Sequence, residues 1–331
     1  MDYKISVIIP NRNGGSTIGL CLEALFKSAH NSFEVVVVDD CSTDNSISII
    51  EKYPCSLVKL EHHVGTAHAR NIGAMQSSGE ILFFIDSDCL VFEDTLALAE
   101  KLSSTHGLNT VIGGTYTIHP YDRTFYSAFQ SAYINYSELK NFQYPDYIAA
   151  HAMIISSHTF KETGGFPADF LPIIEDVEFS HRLRRNGYKL IMEPNLKVQH
   201  IFGYRNMADS LRNGYRKSKY WMIYSIGNKD VLSDSGTASY EMKTNVFSMF
   251  GSLVLLGLYL ANFNPIFLFL FAVLIGGNIA LNLKLFSHFY KSGGQAFLLT
   301  ASLYYMFVYP LAVGLGVVAG TMNYILFQNQ K

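Results

Sequence analysis

The chain has 331 residues, with 25 Lys and Arg against 27 Asp and Glu, a formal net charge of −2 and 49% hydrophobic residues. A chain without a basic excess is not built to hold nucleic acid. Its four cysteines (Cys21, Cys41, Cys55, Cys89) have no CxxC pairing and no regular spacing, so they read as free thiols rather than as a zinc site or a disulfide framework.

The averages conceal two compositions. Every Asp and Glu lies at or before Glu241, and from Val246 the apolar residues run nearly without a break, which is membrane composition. Met1–Pro10 leads straight into a strand-like run rather than a secretory leader, which predicts a cytosolic N-terminal part. Ile5–Ile9 reads as a strand ending at Pro10. The turn PNRNGGSTI follows, then a helix with Leu20, Leu22, Leu25 and Phe26 on its apolar face and Ser16 or Thr17 as cap. Phe33–Val38 is a second strand that stops at Asp39-Asp40, and the polar turn CSTDNS leads into a helix through Ile47, Ile49 and Ile50. Leu57–Leu60 reads as a third strand, Ala67–Met75 as a helix, and Ile81–Ile85 as a fourth strand, an apolar run of the kind buried on both faces. Strands alternating with helices at this spacing predict an α/β fold with a mostly parallel sheet.

Asp86 and Asp88 close the fourth strand. Carboxylates crowded at a strand end repel unless a cation neutralises them, and hard divalent ions such as Mg2+ or Mn2+ take oxygen ligands. There is no GxGxxG and no GxxxxGK[ST], so a nucleotide would be held by acidic strand ends and a metal rather than by a glycine-rich phosphate loop. In open α/β sheets ligands sit beyond the carboxyl ends of the strands, where Asn11–Asn13, Asp39-Asp40 and Asp86–Asp88 converge.

Further on, Val111–Tyr116 and Ala149–Ile155 read as strands, and His119–Tyr147 is aromatic-rich without a clear period. Thr163–Pro167 is a tight turn, Ile174–Leu183 opens a helix behind Glu175-Asp176, and Lys189–Met192 and Lys197–Val198 read as two short strands. Met207–Tyr224 is a basic, aromatic helix carrying Arg212, Arg216, Lys217, Lys219, Tyr220 and Trp221. It reads either as a membrane-surface anchor or as a contact for the phosphate of a donor or a lipid acceptor. Three apolar segments end the chain, with spans expected at about 244–262, 264–283 and 296–320 and a short cytosolic loop at Lys284, His288 and Lys291. The expected domains are residues 1–205, a basic linker helix over 206–243, and a membrane domain over 244–331.

The stretches SVIIPNRNGG, VVVVDDCSTDNS, HHVGTAHARNIGA, FFIDSDC, TGGFP and IIEDVEFSHRLRRNGYKL stand in this order between Ile5 and His200. This set resembles the family 2 glycosyltransferases of the GT-A fold. The resemblance implies inverting transfer of a sugar from a nucleotide diphosphate, with a UDP-sugar favoured and Mg2+ or Mn2+ as cofactor. It assigns Pro10, Asn11, Arg12, Asn13, Asp39, Asp40, His63, Arg70 and Asp86 to the nucleotide sugar. Asp88 and Asp86 become the metal ligands, with His200 at a position where some members contact the metal or diphosphate. Asp176 becomes the catalytic base with Glu175 beside it. Gly164 and Gly165, read from the residues themselves, form either a backbone-permissive turn alone or one that also lines the acceptor site. Where His63 stands the family more often has asparagine, so His62, His63 and His68 read as structural or ribose-contacting rather than as a metal cluster.

The chemistry agrees with these roles. A departing diphosphate needs its charge neutralised, and an acceptor hydroxyl needs a carboxylate to take its proton. The membrane segments favour a lipid or lipid-linked glycan at the cytosolic face of a bacterial or archaeal cell membrane. Transfer to polyprenyl phosphate is an alternative, although an anionic acceptor needs no strong base. Processive polysaccharide synthesis is a further one, although RNGYRKSKYW is not the QxxRW motif of such synthases. An inactive membrane scaffold is the non-enzymatic alternative.

Overall fold

A computed structural model describes residues 4–168 and 171–328 of the protein. The chain divides into two compact units, Met1–Arg123 with Glu138–Gly203, and Thr124–Ser137 with Tyr204–Lys331.

In the first unit, β1 (Ile5–Asn11) is buried along its whole length and forms the axis of the sheet. It continues two residues past the expected stop, with Pro10 and Asn11 in register with Val38 and Asp39. Proline's fixed φ of about −65° suits an extended end and removes only one donor. Around it lie β2 (Phe33–Asp39), β3 (Ser56–Lys59) and β4 (Ile81–Ile85), all parallel. Helices α1 (Ile18–Phe26), α2 (Ser46–Ile50) and α3 (Thr66–Gln76) connect them. Neither Ser16 nor Thr17 caps α1 by its side chain; the Thr17 hydroxyl donates instead to the Gly14 carbonyl at 3.2 Å.

The chain then continues through β5 (Cys89–Leu90), α4 (Thr95–His106), β6 (Thr110–Tyr116), α5 (Phe125–Leu139), β7 (Ala152–Ser156), α6 (Ser157–Glu162), α7 (Glu175–Arg185) and β8 (Lys189–His200). The sheet order is β3-β2-β1-β4-β7-β6-β8-β5, with β7 antiparallel to both neighbours and β5 antiparallel to β8. This is a GT-A-like α/β sheet, mostly parallel. The two short strands expected at Lys189–Met192 and Lys197–Val198 are one strand, β8, whose pairing with β6 slips between Gly113 and Thr115. Pro194, lacking an N–H, falls in the slipped stretch.

The hydrophobic pattern does not announce α4 and α5. α4 buries only Thr95, Leu96, Ala99 and Leu102, a narrow stripe. In α5 the polar Ser127, Gln130, Ser131 and Asn135 are as buried as Phe129 and Tyr133, which removes the contrast from which a period is read.

Behind the sheet, Phe84 of β4 packs against Phe160 and Phe166 with ring centroids 5.1 Å apart in both pairs, and Phe166 meets Phe179 of α7 at 4.8 Å. These aromatic contacts, each worth about 0.5–1.5 kcal/mol beyond the area buried, pin the start of α7 against the end of β4.

The second unit holds all but the last two residues of α5, together with α8 (Met207–Asn228), α9 (Tyr240–Asn262), α10 (Pro265–Leu303), a π-helical turn at Tyr304–Val308 and α11 (Tyr309–Gln328). Among the described residues two helical runs are long and apolar enough to cross a membrane, Tyr240–Asn262 and Pro265–Leu326. The second run contains both of the last two expected spans and bends at Gly293 and Gly294, where the dihedrals leave the helical region. Lys284, His288 and Lys291 therefore lie on helix rather than in a loop, because the chain breaks one glycine pair later. Asn282 donates to Asn278, Asn278 to Asn245 at 2.8 Å, and Asn245 to the Tyr305 carbonyl at 2.6 Å. A π-turn detaches carbonyls from the i−4 ladder, and here a buried amide takes one up.

α8 and α11 lie backbone against backbone. A Cβ at Gly316 would collide with the Ser218 hydroxyl and the Tyr215 carbonyl, and one at Gly320 with the Lys219 carbonyl. Gly316→Ala gains up to about 1 kcal/mol of helix propensity but overpacks by about 1–3 kcal/mol. A net fall in the melting temperature of the detergent-solubilised protein is expected. Gly277→Ala, which meets nothing within 4 Å, is expected to show no such fall.

Candidate active site

β4 ends at Ile85, and the chain turns through Asp86-Ser87-Asp88 into β5, with the Cys89 N–H donating to the Asp86 carbonyl at 3.0 Å. β5 pairs with the end of β8, Cys89 opposite His200, and the Ile201 N–H donates to the Asp88 carbonyl at 2.8 Å. That pairing brings the His200 Nε2 within 3.4 Å of an Asp88 carboxylate oxygen. Asp88, Cys89 and His200 together offer three ligand atoms within 4.8 Å of one another.

The donor set fits a hard divalent cation only in part. A carboxylate and an imidazole suit Mn2+, and a carboxylate suits Mg2+. The Cys89 thiol is pushed well up by burial and by Asp88 and Asp86, so it stays protonated and is not a ligand for a hard ion.

Arg70, on α3, connects this strand end to the start of α7. Its guanidinium donates to Asp86 at 2.7 Å and to Glu175 at 2.5 Å, and its side chain is 4% exposed. The next residue, Asn71, accepts from the Phe166 N–H at 2.9 Å and donates to the Phe166 carbonyl at 2.8 Å. Burial raises the Asp86 carboxyl, but Arg70, His151 and His200 outweigh it and hold Asp86 below the ordinary range. Arg70 in turn is raised despite its burial, by Asp86, Glu175 and Asp176.

Glu175 and Asp176 open α7, preceded by Ile174 at φ 79°, a costly conformation for a β-branched residue. Asp176 accepts from the Ala150 N–H at 3.2 Å and from the Val177 N–H at 2.9 Å. Its carboxyl is raised to about 6 by burial and then by Glu175, against the pull of Arg70 and the two N–H groups. The helix N-terminus alone predicts a readily ionised group; burial beside a second carboxylate wins. The two adjacent acids thus have different surroundings: Arg70 donates a hydrogen bond to Glu175, whereas Asp176 accepts its hydrogen bonds, among the described residues, from backbone N–H groups.

At the ends of β1 and β2, Asp39 accepts from Asn11 at 2.8 Å, from the Ser42 hydroxyl at 2.6 Å and from the Ser42 N–H at 2.9 Å. Asp40 accepts from the Val64 N–H at 2.7 Å and the Gly65 N–H at 2.9 Å, and pairs with His63 Nδ1 at 2.7 Å. Asn13 bonds Ser42 and Thr43 through its N–H and its Oδ1, while Arg12 and Asn13 are exposed. These residues share one rim of the sheet, and both aspartates organise their own loops. The buried Asn11 Oδ1 has no hydrogen-bond partner among the described residues.

Gly164 and Gly165 both take positive φ, 78° and 67°, and a Cβ on Gly165 would stand 2.6 Å from Asn71 Oδ1. Only glycine fits so tight a turn against α3. Arg212, Arg216 and Lys217 are exposed on α8 of the second unit, with Trp221 half-buried on the same helix. Sequence reasoning missed His151 and Tyr116. Their rings stack at 3.9 Å, and His151 stands 3.5 Å from Glu138. The sole signal was a lone histidine opening an apolar run.

Residues 6–160 match the family described as Glycosyl transferase family 2. Glycosyltransferase GlyG of Streptococcus pneumoniae is 30% identical over 131 residues, 38% of this chain and 44% of that protein. Glycosyltransferase AglE of Haloferax volcanii is 26% identical over 240 residues, 69% of this chain and 78% of that protein. The chain spans less than half the length of the first curated relatives it matches. Among solved structures, the mannosyltransferase PcManGT from Pyrobaculum calidifontis in complex with GDP-Man and Mn2+ superposes with a TM-score of 0.59 at 18% identity. That match covers 98% of this chain and 88% of the other, and it establishes the fold.

Proposed function

We propose that this chain, which carries a glycosyl transferase family 2 domain over residues 6–160, is an inverting, divalent-cation-dependent transferase. In this reading it moves a sugar from a nucleotide diphosphate, a UDP-sugar being favoured, to a hydroxyl of a lipid or lipid-linked glycan at the cytosolic membrane face. The observation that carries the reading is the division between two neighbouring acids: Glu175 neutralised by Arg70, and Asp176 left with a carboxyl raised to about 6. Acid pairs whose surroundings separate them in this way mark acid–base roles.

Asp176 is the base. As the acceptor oxygen bonds to the anomeric carbon, its proton passes to the Asp176 carboxylate, and the bond to the diphosphate oxygen breaks with its electron pair leaving on the nucleotide. One displacement from the opposite face inverts the centre without a covalent sugar–enzyme species. Asp88 and His200 are the residues that would hold Mg2+ or Mn2+, with Asp86 oriented by Arg70 beside them. The ion, when bound, supplies charge neutralisation to the diphosphate. Pro10, Asn11, Arg12, Asn13, Asp39, Asp40 and His63 form the nucleotide rim, and Arg70, bonded to Asp86 and Glu175, stands with them on the donor side. Gly164 and Gly165 lie on the acceptor side.

An acceptor that is already a phosphate anion would leave Asp176 without work, so its raised carboxyl supports a hydroxyl acceptor over polyprenyl phosphate. The membrane part of the reading rests on α9 and α10. Phe247, Leu253, Val254, Leu260, Phe269, Val273 and Leu283 are exposed there, with no acidic residue anywhere beyond Glu241. Arg212, Arg216, Lys217 and Trp221 on α8 suit a phosphate-bearing membrane surface.

The test is incubation of the purified, detergent-solubilised protein with labelled UDP- and GDP-sugars and a membrane lipid extract, followed by product identification. Transfer is expected with Mn2+ or Mg2+ and is expected to stop with EDTA. Asp88→Ala is expected to lower the rate by about 10²–10³-fold; full turnover by that variant would overturn the assignment of Asp88.

A further inference from the structure

A metal-ligating histidine is normally aimed by a hydrogen bond from its second ring nitrogen to a carboxylate, a carbonyl or water. In His200 the Nε2 faces Asp88 at 3.4 Å, and among the described residues no carboxylate or carbonyl accepts from its buried Nδ1. Rings surround it instead. Tyr116 meets His200 nearly edge-on, centroids 4.6 Å apart and planes at 64°. Phe202 lies against it at 4.0 Å and 33°. Tyr116 also meets Phe202 edge-on at 5.7 Å, so the three rings close on one another.

Tyr116 is itself anchored from its other side. The His151 ring stacks on it at 3.9 Å and 24°, and the buried Glu138 carboxylate stands 3.5 Å from His151 Nε2. His151 follows Ala150, whose N–H donates to Asp176. One short turn before β7 therefore serves the proposed base by its backbone and this ring stack by its side chain.

We propose that Tyr116 and Phe202, with His151 behind Tyr116, form an aromatic clamp that orients His200 toward the cation. They are positioning residues and touch neither the sugar nor the ion. The physical basis is that offset and edge-on ring contacts are directional, which fixes the plane of the imidazole as well as its place. An aliphatic side chain of similar volume would fill the space without setting that plane. The inference rests on the metal reading given above.

The experiment measures Mn2+ binding directly, by electron paramagnetic resonance of free Mn2+ during titration of the detergent-solubilised full chain, with no sugar donor present. Tyr116→Leu is expected to weaken Mn2+ binding by about 10–100-fold, the usual loss when support behind a metal ligand is removed. Tyr116→Phe keeps the ring and is expected to bind close to the parent protein. Melting curves accompany each variant; if Tyr116→Leu does not fold, Phe202→Leu tests the other side of the same ring. Leucine variants that fold and bind Mn2+ as tightly as the parent overturn the clamp, provided His200→Ala binds weakly. A parent protein that binds no Mn2+ overturns the metal reading and the clamp together.

Discussion

Asp176→Asn is expected to lower sugar transfer by about 10²–10⁴-fold, the span ascribed to a positioned general base, while leaving the protein folded. The amide is nearly isosteric with the carboxylate and its one oxygen can take either of the two backbone bonds, from the Ala150 N–H at 3.2 Å or the Val177 N–H at 2.9 Å, which is enough to keep the helix start in place. In the parent protein the carboxyl is raised to about 6, first by burial and then by Glu175. A base works in its ionised form, so the parent rate should climb as pH passes through about 6 and level off above it. The asparagine variant's residual rate should lack that climb.

The stability effect has the opposite sign. A carboxyl raised in the fold above its ordinary 3.8 stabilises the folded state when protonated, and that contribution is lost as pH rises through about 6. The asparagine variant should therefore melt at a higher temperature than the parent at pH 7.5, with the gap closing as pH falls toward 4. Parent-like turnover by the variant would leave the reaction without its base.

Arg70→Met is expected to destabilise the protein by about 3–5 kcal/mol, the usual cost of leaving buried charges without their partner. That corresponds to a fall in melting temperature of roughly 6–20 °C for a unit of this size. The cost is large because one guanidinium answers three acids: bonds to Asp86 at 2.7 Å and Glu175 at 2.5 Å, and attraction to Asp176. Asp86 is held below the ordinary carboxylate range, so its share is present at neutral pH and lost as the pH falls through that lowered value. The deficit of the methionine variant should accordingly shrink in acid. Arg70→Lys keeps the charge but not the planar fork that reaches two carboxylates at once, and should fall between the two. Thermal unfolding of the solubilised protein decides this; a methionine variant that melts with the parent would mean that the acids are balanced by something else.

The parallel half of the sheet was legible from the sequence because its strands are buried on both faces. A strand covered on both sides is a continuous apolar run, and Val35–Val38 and Ile81–Ile85 end where the polar loops begin. The positions of Asp39, Asp86, Asp88, Glu175 and Asp176 could be read for the same reason, since each stands at the end of an element. α5 could not, because a helix that buries serine, glutamine and asparagine beside phenylalanine shows no amphipathic period. Lys284, His288 and Lys291 suggested a loop by their charge, but charge does not break a helix; Gly293 and Gly294 do.

The sequence by itself determined which chemistry is available: carboxylates at strand ends, an acid pair at a helix start, and an apolar, acid-free tail. Only the tertiary structure decided how those groups are divided. Arg70 reaches Glu175 across 105 residues of chain and thereby separates two neighbouring acids that are alike in sequence. The pairing of β5 with β8 brings His200 to Asp88. Such contacts depend on which elements the sheet order makes neighbours, and local periodicity carries information only over the few residues of a turn or a strand.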